Sequence, residues 1–214
     1  MKTFAAAMIA AALTMNAFAG AAAAQSADIP SGPYTLDDTH AGVFFTVRHI
    51  GVSEYTARFT KFTIDLTLDV EDLSKSTVAA TVDPASVVTN HPREFDFDAE
   101  IGLDPKFLNG GEFPQITFQS TKVEPTGDTT AKITGDLTLL GVTKEVVLDA
   151  ELVGAIAMNP FLKAPGVGFR ATTTLDRSDF GMTYLTNNVP GSENPIVSPE
   201  VEIRIQAEFY QPQG

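Results

Sequence analysis

The chain has 214 residues, with 27 acidic and 14 basic side chains, so its formal net charge is −13 at neutral pH. This acidic balance argues against binding to nucleic acid and against docking on anionic lipid surfaces. The sequence contains no cysteine, so its stability must come from a hydrophobic core and not from disulfides.

The first residues have the pattern of an export signal. Lys2 precedes a short apolar run from Phe4 to Met15, and small-x-small triplets end at Ala19 and at Ala24. A run this short is typical of a secretory signal peptide and not of a membrane-spanning helix. We expect residues 1–24 to be removed by cleavage after Ala24, although cleavage after Ala19 also fits. Residues 25–214 would then form one periplasmic domain with a net charge of −14.

A strict alternation of side chains begins the predicted fold. One parity of the first strand carries three apolar residues and a histidine, namely Val43, Phe45, Val47 and His49. Alternation of this kind predicts a strand with one buried face. Gly51 interrupts it, and a second strand is predicted over residues 55–69. A change of apolar parity between Phe59 and Phe62 predicts a β-bulge within that second strand.

The alternation stops after a third strand near residues 78–82. Residues 89–109 are acidic and aromatic and include Pro92 and Pro105. We interpret them as a long crossing loop with one or two helical turns around Phe95 to Ile101. Loops of this length in compact domains are often functional lids.

Five further strands are predicted over residues 115–123, 131–139, 146–152, 167–176 and 201–209. Turn residues separate them, including Gly141 in a hairpin and a Pro/Asn/Gly-rich loop over residues 186–199. Eight antiparallel strands fit a closed barrel that is filled by side chains or holds one slender ligand. A β-sandwich is the alternative from the pattern alone.

Several blocks of the sequence resemble the YceI-like family. Its opening signature is matched by His40, Ala41, Val43, Phe45, Val47, His49, Gly51 and Ser53. Residues 133–144 resemble the family's central hairpin, and residues 177–182 another of its blocks. The chain departs from the pattern at Ala41, at Ala57, and at residues 100–102 of the lid, where the family usually has His-Leu-Arg. The resemblance covers roughly Tyr34 to Phe209.

The resemblance implies an all-β, eight-stranded antiparallel lipocalin-like barrel around a long apolar cavity that holds a polyisoprenoid chain. The residues expected to line the cavity and its mouth are Phe45, Val47, His49, Phe59, Phe107, Phe118, Phe169 and Met182. Contacts with a lipid headgroup or with the lid are expected from His40, His91, Arg177 and Asp179. The alternative is that these side chains simply fill the core, as is usual in small barrels.

No metal or catalytic motif is apparent. The three histidines, at positions 40, 49 and 91, lack the spacing of a metal site, and neither a nucleophile elbow nor a phosphate-binding loop occurs. We therefore expect no metal, no catalytic residue and no cofactor other than a bound lipid.

The function predicted on this basis is that of an exported soluble protein that sequesters or shuttles a quinone or polyprenyl lipid without catalysing a reaction. Its expected partners are the isoprenoid lipid and, transiently, membrane components, with no nucleic acid, and the expected state is a monomer or weak homodimer. Two alternatives stay open. One is an exported enzyme acting on a hydrophobic substrate in the cavity, with His49, His40 and Asp179 as candidate residues. The other is a filled structural or stress-response barrel that binds only proteins.

Overall fold

The computed structural model describes residues 29–92 and 94–212, and the predicted export signal at residues 1–24 lies outside them. Ten strands within these described residues form one antiparallel sheet. They are β1 (Gly32–His49), β2 (Ser53–Phe59), β3 (Phe62–Leu68), β4 (Thr77–Val82), β5 (Val87–Val88), β6 (Ile116–Pro125), β7 (Thr130–Leu139), β8 (Val142–Ile156), β9 (Gly166–Asp176) and β10 (Val197–Tyr210). One α-helix, α1 (Phe97–Leu103), lies between β5 and β6.

The sheet closes on itself because β10 pairs with β1 as well as with β9. Strands β2 and β3 are two parts of one long strand, since β1 pairs with β3 through residues 32–34 and with β2 through residues 43–49. Strands β4 and β5 form a second interrupted strand that follows β3 and β2 in the same way. The result is a closed eight-stranded antiparallel barrel, which confirms the predicted fold class.

The interruption in these two strands has a local cause. A short 3-10 turn, Pro84–Ser86, separates β4 from β5 and brings the buried Ser86 hydroxyl against the gap between β2 and β3. That hydroxyl accepts hydrogen bonds from the amides of Thr60 at 3.3 Å and Lys61 at 3.0 Å, and it donates to the Asp83 carbonyl at 2.7 Å. The break falls between Phe59 and Phe62, where the sequence predicted a β-bulge, and the structure has a two-residue interruption of the strand there instead.

Inward-facing side chains form two hydrophobic clusters, one toward each end of the barrel. The first includes Val43, Phe59 and Met182, and it lies beneath the segment that contains α1. We call this end of the barrel the lid end. The second cluster includes Tyr34, Leu66 and Phe209, and it lies at the opposite end, which we call the far end.

The lid is the segment 89–115 between β5 and β6. Helix α1 begins after Asp96, whose side chain accepts a hydrogen bond from the Ala99 amide at 2.9 Å, as an N-cap does. The predicted helical turns around Phe95 to Ile101 are therefore present and shifted two residues toward the C-terminus. Among the described residues, none of the helices has the length and apolar character that crossing a bilayer requires.

Candidate functional site

A cavity of about 1040 Å³ runs through the barrel interior. Side chains from β1–β4, β6–β10 and the lid line it, and most of them are apolar. On β7 the lining extends from Thr130 at the far end to Leu139 at the lid end. At about 3.3 Å per residue, this corresponds to about 30 Å of strand, or roughly 23 Å along the axis of a barrel with strands tilted by about 40°. The cavity is therefore long and narrow.

Small side chains on three neighbouring strands keep the interior open. Ala131 on β7 lies opposite Ala150 on β8, and Ala150 lies opposite Ala171 on β9. All three line the cavity. We call them the alanine belt. Because an alanine extends no further than its Cβ, the space beside the belt is not filled as it would be by leucine or phenylalanine at these positions.

The eight residues that the sequence placed around the cavity all line it, and they are Phe45, Val47, His49, Phe59, Phe107, Phe118, Phe169 and Met182. Aromatic rings contact each other along the wall. The Phe45 and Phe59 ring centroids are 5.5 Å apart, and the Phe107 ring meets Tyr184 edge to face at 5.4 Å. Contact of these residues with a lipid stays a prediction.

Polar groups concentrate at the lid end of the cavity, where His49, Ser53, Tyr55, His91 and Glu100 all contribute to the lining. The Tyr55 hydroxyl donates to the Thr89 carbonyl at 3.0 Å, which joins β2 to the lid. The His91 ring packs against Phe97 with centroids 4.9 Å apart. Its Nδ1 atom is buried and has no hydrogen-bond partner within the described part of the chain. Because a buried polar atom normally has a partner, Nδ1 is a polar atom at this mouth whose hydrogen-bonding capacity is unused in the closed structure.

One side chain fastens helix α1 to the start of the lid, next to β5. The Asp98 carboxylate of α1 accepts a hydrogen bond from the amide of Thr89 at 2.7 Å and a second one from the Thr89 hydroxyl. Thr89 is buried and lies just after β5. This connection could not be predicted from the sequence, because nothing in the local pattern indicates which carboxylate of an acidic loop faces Thr89.

We expect Asp98→Ala to loosen the lid. The substitution leaves the buried Thr89 amide without an acceptor, which costs about 1–3 kcal/mol. Amide hydrogen exchange over residues 97–109, measured by mass spectrometry, should become about tenfold faster. Glu94→Ala, an exposed substitution in the same segment, is the control and should leave exchange unchanged. Equal exchange in both variants would show that Asp98 does not hold the lid.

Arg177 begins the turn after β9 and is only 5% exposed. Its guanidinium donates to four backbone carbonyls, those of Ser198 at 3.0 Å, Met182 at 3.1 Å, Tyr184 at 2.8 Å and Val197 at 3.1 Å. Burial lowers the pKa of this guanidinium, and the neighbouring Asp176 carboxylate opposes the shift. Arg177 lines the cavity, but its donors mainly hold the β9–β10 loop at the lid end.

The other two predicted headgroup contacts lie elsewhere. The ring of His40 sits on the outer surface, where its Nδ1 lies 2.9 Å from Asp37 Oδ2 and its side chain is 63% exposed. Its position follows from the alternation of β1, because Val43, Phe45 and Val47 face the cavity and His40 has the opposite parity. A bulge in β1 also lies beside it, between Asp37 and Ala41. Asp179 is exposed within the 3-10 turn Arg177–Phe180. Neither belongs to the described residues that line the cavity.

The far end of the cavity carries a second set of polar groups that the sequence analysis missed. Ser76, Asp128, Thr129 and Thr130 all contribute to the lining there. They belong to or flank the β3–β4 and β6–β7 connections. Turn residues of this kind look like ordinary solvated connectors in a sequence, so no local signal marks them as part of the cavity wall.

A closed antiparallel barrel around a long apolar cavity, with a short helix across one end, defines a lipocalin-like barrel. This chain belongs to the YceI-like family, because the model of the YceI-like domain matches residues 34–209. A UPF0312 protein of Vibrio parahaemolyticus is 37% identical over 164 residues, which cover 76% of this chain and 81% of that protein.

Solved structures show the same architecture. The crystal structure of a Campylobacter jejuni YCEI protein matches with a TM-score of 0.64 and 25% identity, covering 78% of this chain and 90% of that one. A polyisoprenoid binding domain from Saccharophagus degradans, implicated in plant cell wall breakdown, matches with a TM-score of 0.55 and 12% identity over 86% of this chain and all of that one. The second likeness supports the fold alone.

Proposed function

We propose that this protein is an exported, soluble binding protein that encloses the tail of a polyisoprenoid lipid, of quinone or polyprenyl type, and sequesters or shuttles it in the periplasm. The proposal rests on the volume and the apolar lining of the cavity. Its 1040 Å³ equals the space of about 35 water molecules at about 30 Å³ each. A ligand of roughly 35 non-hydrogen atoms would fill it, which corresponds to a slender chain of several isoprene units.

The energetics favour enclosure of such a tail. Each methylene group removed from water contributes about 0.8 kcal/mol, so a tail of about twenty carbons gains on the order of 16 kcal/mol in gross transfer free energy. A narrow cavity about 23 Å long, lined by aliphatic and aromatic side chains, suits an extended chain better than a compact ligand. The domain from Saccharophagus degradans, which shares this fold, is itself described as polyisoprenoid binding.

The headgroup is placed at the lid end in this proposal. His49, Tyr55 and His91 supply polar atoms there, and opening of the lid would bring the buried, unpartnered His91 Nδ1 within reach of a headgroup hydroxyl or carbonyl. The lid opens, the tail enters, and the headgroup stays near the mouth. Binding and release require no covalent step, so the proposal assigns the protein no catalytic role.

Export is supported by the amino-terminal sequence pattern and by the acidic charge, which keeps a protein loaded with lipid dispersed. In the proposed role the protein carries its ligand across an aqueous compartment between two membranes. The tail must be enclosed in the barrel while it crosses the aqueous compartment, because a free isoprenoid tail is nearly insoluble in water.

Native mass spectrometry of protein purified from the periplasm without detergent tests the proposal. We expect a one-to-one adduct that organic extraction identifies as an isoprenoid lipid. If the protein has the bare polypeptide mass, it should be incubated with a long-chain quinone and measured again. Failure to bind the quinone, together with the absence of any extractable lipid, would contradict the carrier function and favour a filled barrel.

A further inference from the structure

Three side chains that can bind metal meet on the outer surface of the barrel, away from the lipid cavity. Asp37 on β1 lies directly opposite Glu208 on β10 in the strand register. The bulge between Asp37 and Ala41 turns His40 back over this pair. Carboxylate oxygens of Asp37 and Glu208 and a ring nitrogen of His40 all lie within 4.8 Å of one another.

Asp37 is held in one orientation. Its Oδ1 atom accepts hydrogen bonds from the Thr39 amide at 3.0 Å and the Thr39 hydroxyl at 2.6 Å. Its Oδ2 atom faces His40 Nδ1 at 2.9 Å. The Asp37 side chain is only 16% exposed. A carboxylate that hydrogen bonds hold in one orientation, as Thr39 holds Asp37, has the support that carboxylate ligands of metals commonly receive.

The local charge favours binding of a cation, because two carboxylates meet here with one basic side chain beside them. Two carboxylates directly opposite each other on neighbouring strands repel. Within the described part of the chain, no lysine or arginine forms a salt bridge with Asp37 or Glu208, and His40 is the single basic group paired with either. A second cavity of about 260 Å³ adjoins both carboxylates, so an ion there would have room for water or a small ligand on its open side.

We propose that Asp37, His40 and Glu208 bind one divalent transition-metal ion of the Zn²⁺ type. One imidazole nitrogen with two carboxylate oxygens favours Zn²⁺ and similar ions over Mg²⁺ and Ca²⁺, which take oxygen ligands. Ligands about 2.1 Å from a tetrahedral metal lie about 3.4 Å apart, so the hydrogen-bonded distance of 2.9 Å between His40 Nδ1 and Asp37 Oδ2 has to widen by only about 0.5 Å when an ion replaces the shared proton. Three protein ligands leave further coordination positions open, as in exchangeable sites.

The spacing of residues along the sequence does not reveal this metal site. His40 and Asp37 are close in sequence, but Glu208 reaches them only through the pairing of β1 with β10. The expectation that this protein binds no metal rested on the spacing of its histidines, which cannot report a site assembled across the closing strand pair. None of the three ligands lines the lipid cavity, so metal binding and lipid binding are separate properties.

Isothermal titration calorimetry of the full chain without a histidine tag, with ZnCl₂ as the probe, tests the site. We expect one Zn²⁺ per chain, with the affinity lowered at least about tenfold in Glu208→Gln and in His40→Gln. Glu202→Gln is the matched control, because it removes the same charge from an exposed position on the same strand and face. Its affinity should equal that of the unmodified protein. MgCl₂ should bind at least about tenfold more weakly than ZnCl₂.

Three results would overturn the assignment. They are the absence of saturable Zn²⁺ binding, an equal loss of affinity in Glu202→Gln, and binding of Mg²⁺ as tight as that of Zn²⁺. Circular dichroism of each variant establishes that it is folded before titration.

Nuclear magnetic resonance gives an independent measurement. Zn²⁺ at stoichiometric concentration should shift the ring signals of His40, while the ring signals of His49 and His91 stay in place.

Discussion

Replacing Ala150 or Ala171 with phenylalanine is expected to abolish lipid binding while leaving the barrel folded. Both residues belong to the alanine belt and point into the cavity from neighbouring strands. A phenyl ring at either position would occupy the bore through which an extended tail must pass. Because the ring enters existing free space, it should not incur the usual cost of overpacking a filled core. The affinity for a long-chain quinone should fall at least about tenfold, or about 1.4 kcal/mol.

Thr174→Phe is the control for this pair. It adds the same ring to β9 on the exposed outer face and should leave quinone affinity unchanged. Ala150→Leu should have an intermediate effect, because it narrows the bore without closing it. Thermal unfolding monitored by circular dichroism establishes that each variant is folded. Undiminished binding in both phenylalanine variants would mean that the ligand does not occupy the centre of the barrel.

Replacing Arg177 with alanine should lower the free energy of unfolding by roughly 3 kcal/mol. The guanidinium satisfies carbonyls on both sides of the β9–β10 loop, and a buried carbonyl that loses its donor costs about 1–3 kcal/mol. This loss is a large fraction of the 5–15 kcal/mol typical of a whole domain. For a chain of this size it corresponds to a fall of about 6–12 °C in the unfolding midpoint, which differential scanning calorimetry would measure.

Arg170→Ala provides the comparison for Arg177. Arg170 is an exposed arginine on β9 that pairs with Glu151 at 3.2 Å, and surface pairs of this kind contribute about 0–1 kcal/mol. Arg177→Lys should retain most of the destabilisation, because an ammonium group cannot reproduce the planar fork that reaches four carbonyls. Similar midpoints for Arg177→Ala and Arg170→Ala would show that the β9–β10 loop is held by other contacts.

Strand alternation made much of this structure predictable. Once a strand has one buried face, every second residue on it has a fixed direction, so Phe45, Val47 and Phe169 could be placed on the barrel wall before the structure was known. The change of parity between Phe59 and Phe62 located the interrupted strand for the same reason. The lid was predictable from the loss of alternation together with its length.

Other features depend on contacts that no local pattern encodes. Nothing around His40 in the sequence indicates the bulge that brings its ring close to Asp37 and Glu208. Arg177 was expected to meet a headgroup, but the carbonyls it binds belong to residues up to 21 positions away. The alanine belt could not be predicted, because a single alanine in a strand has no special meaning. The open space arises only when Ala131, Ala150 and Ala171 lie side by side on neighbouring strands.

The pairing of β1 with β10 also constrains how the protein folds. Leu36 lies opposite Phe209, so the last contact of the ring joins the two ends of the described chain. Closing so long a loop has a high entropic cost, and the contact can form only after nearly all of the polypeptide is available. Both features are typical of slow folding. Until β10 docks, β1 and β9 each keep an unpaired row of backbone donors and acceptors that another chain could recruit. The pairing of β1 with β10 completes the native barrel. A delay in this pairing is therefore the step of folding that most exposes the protein to aggregation.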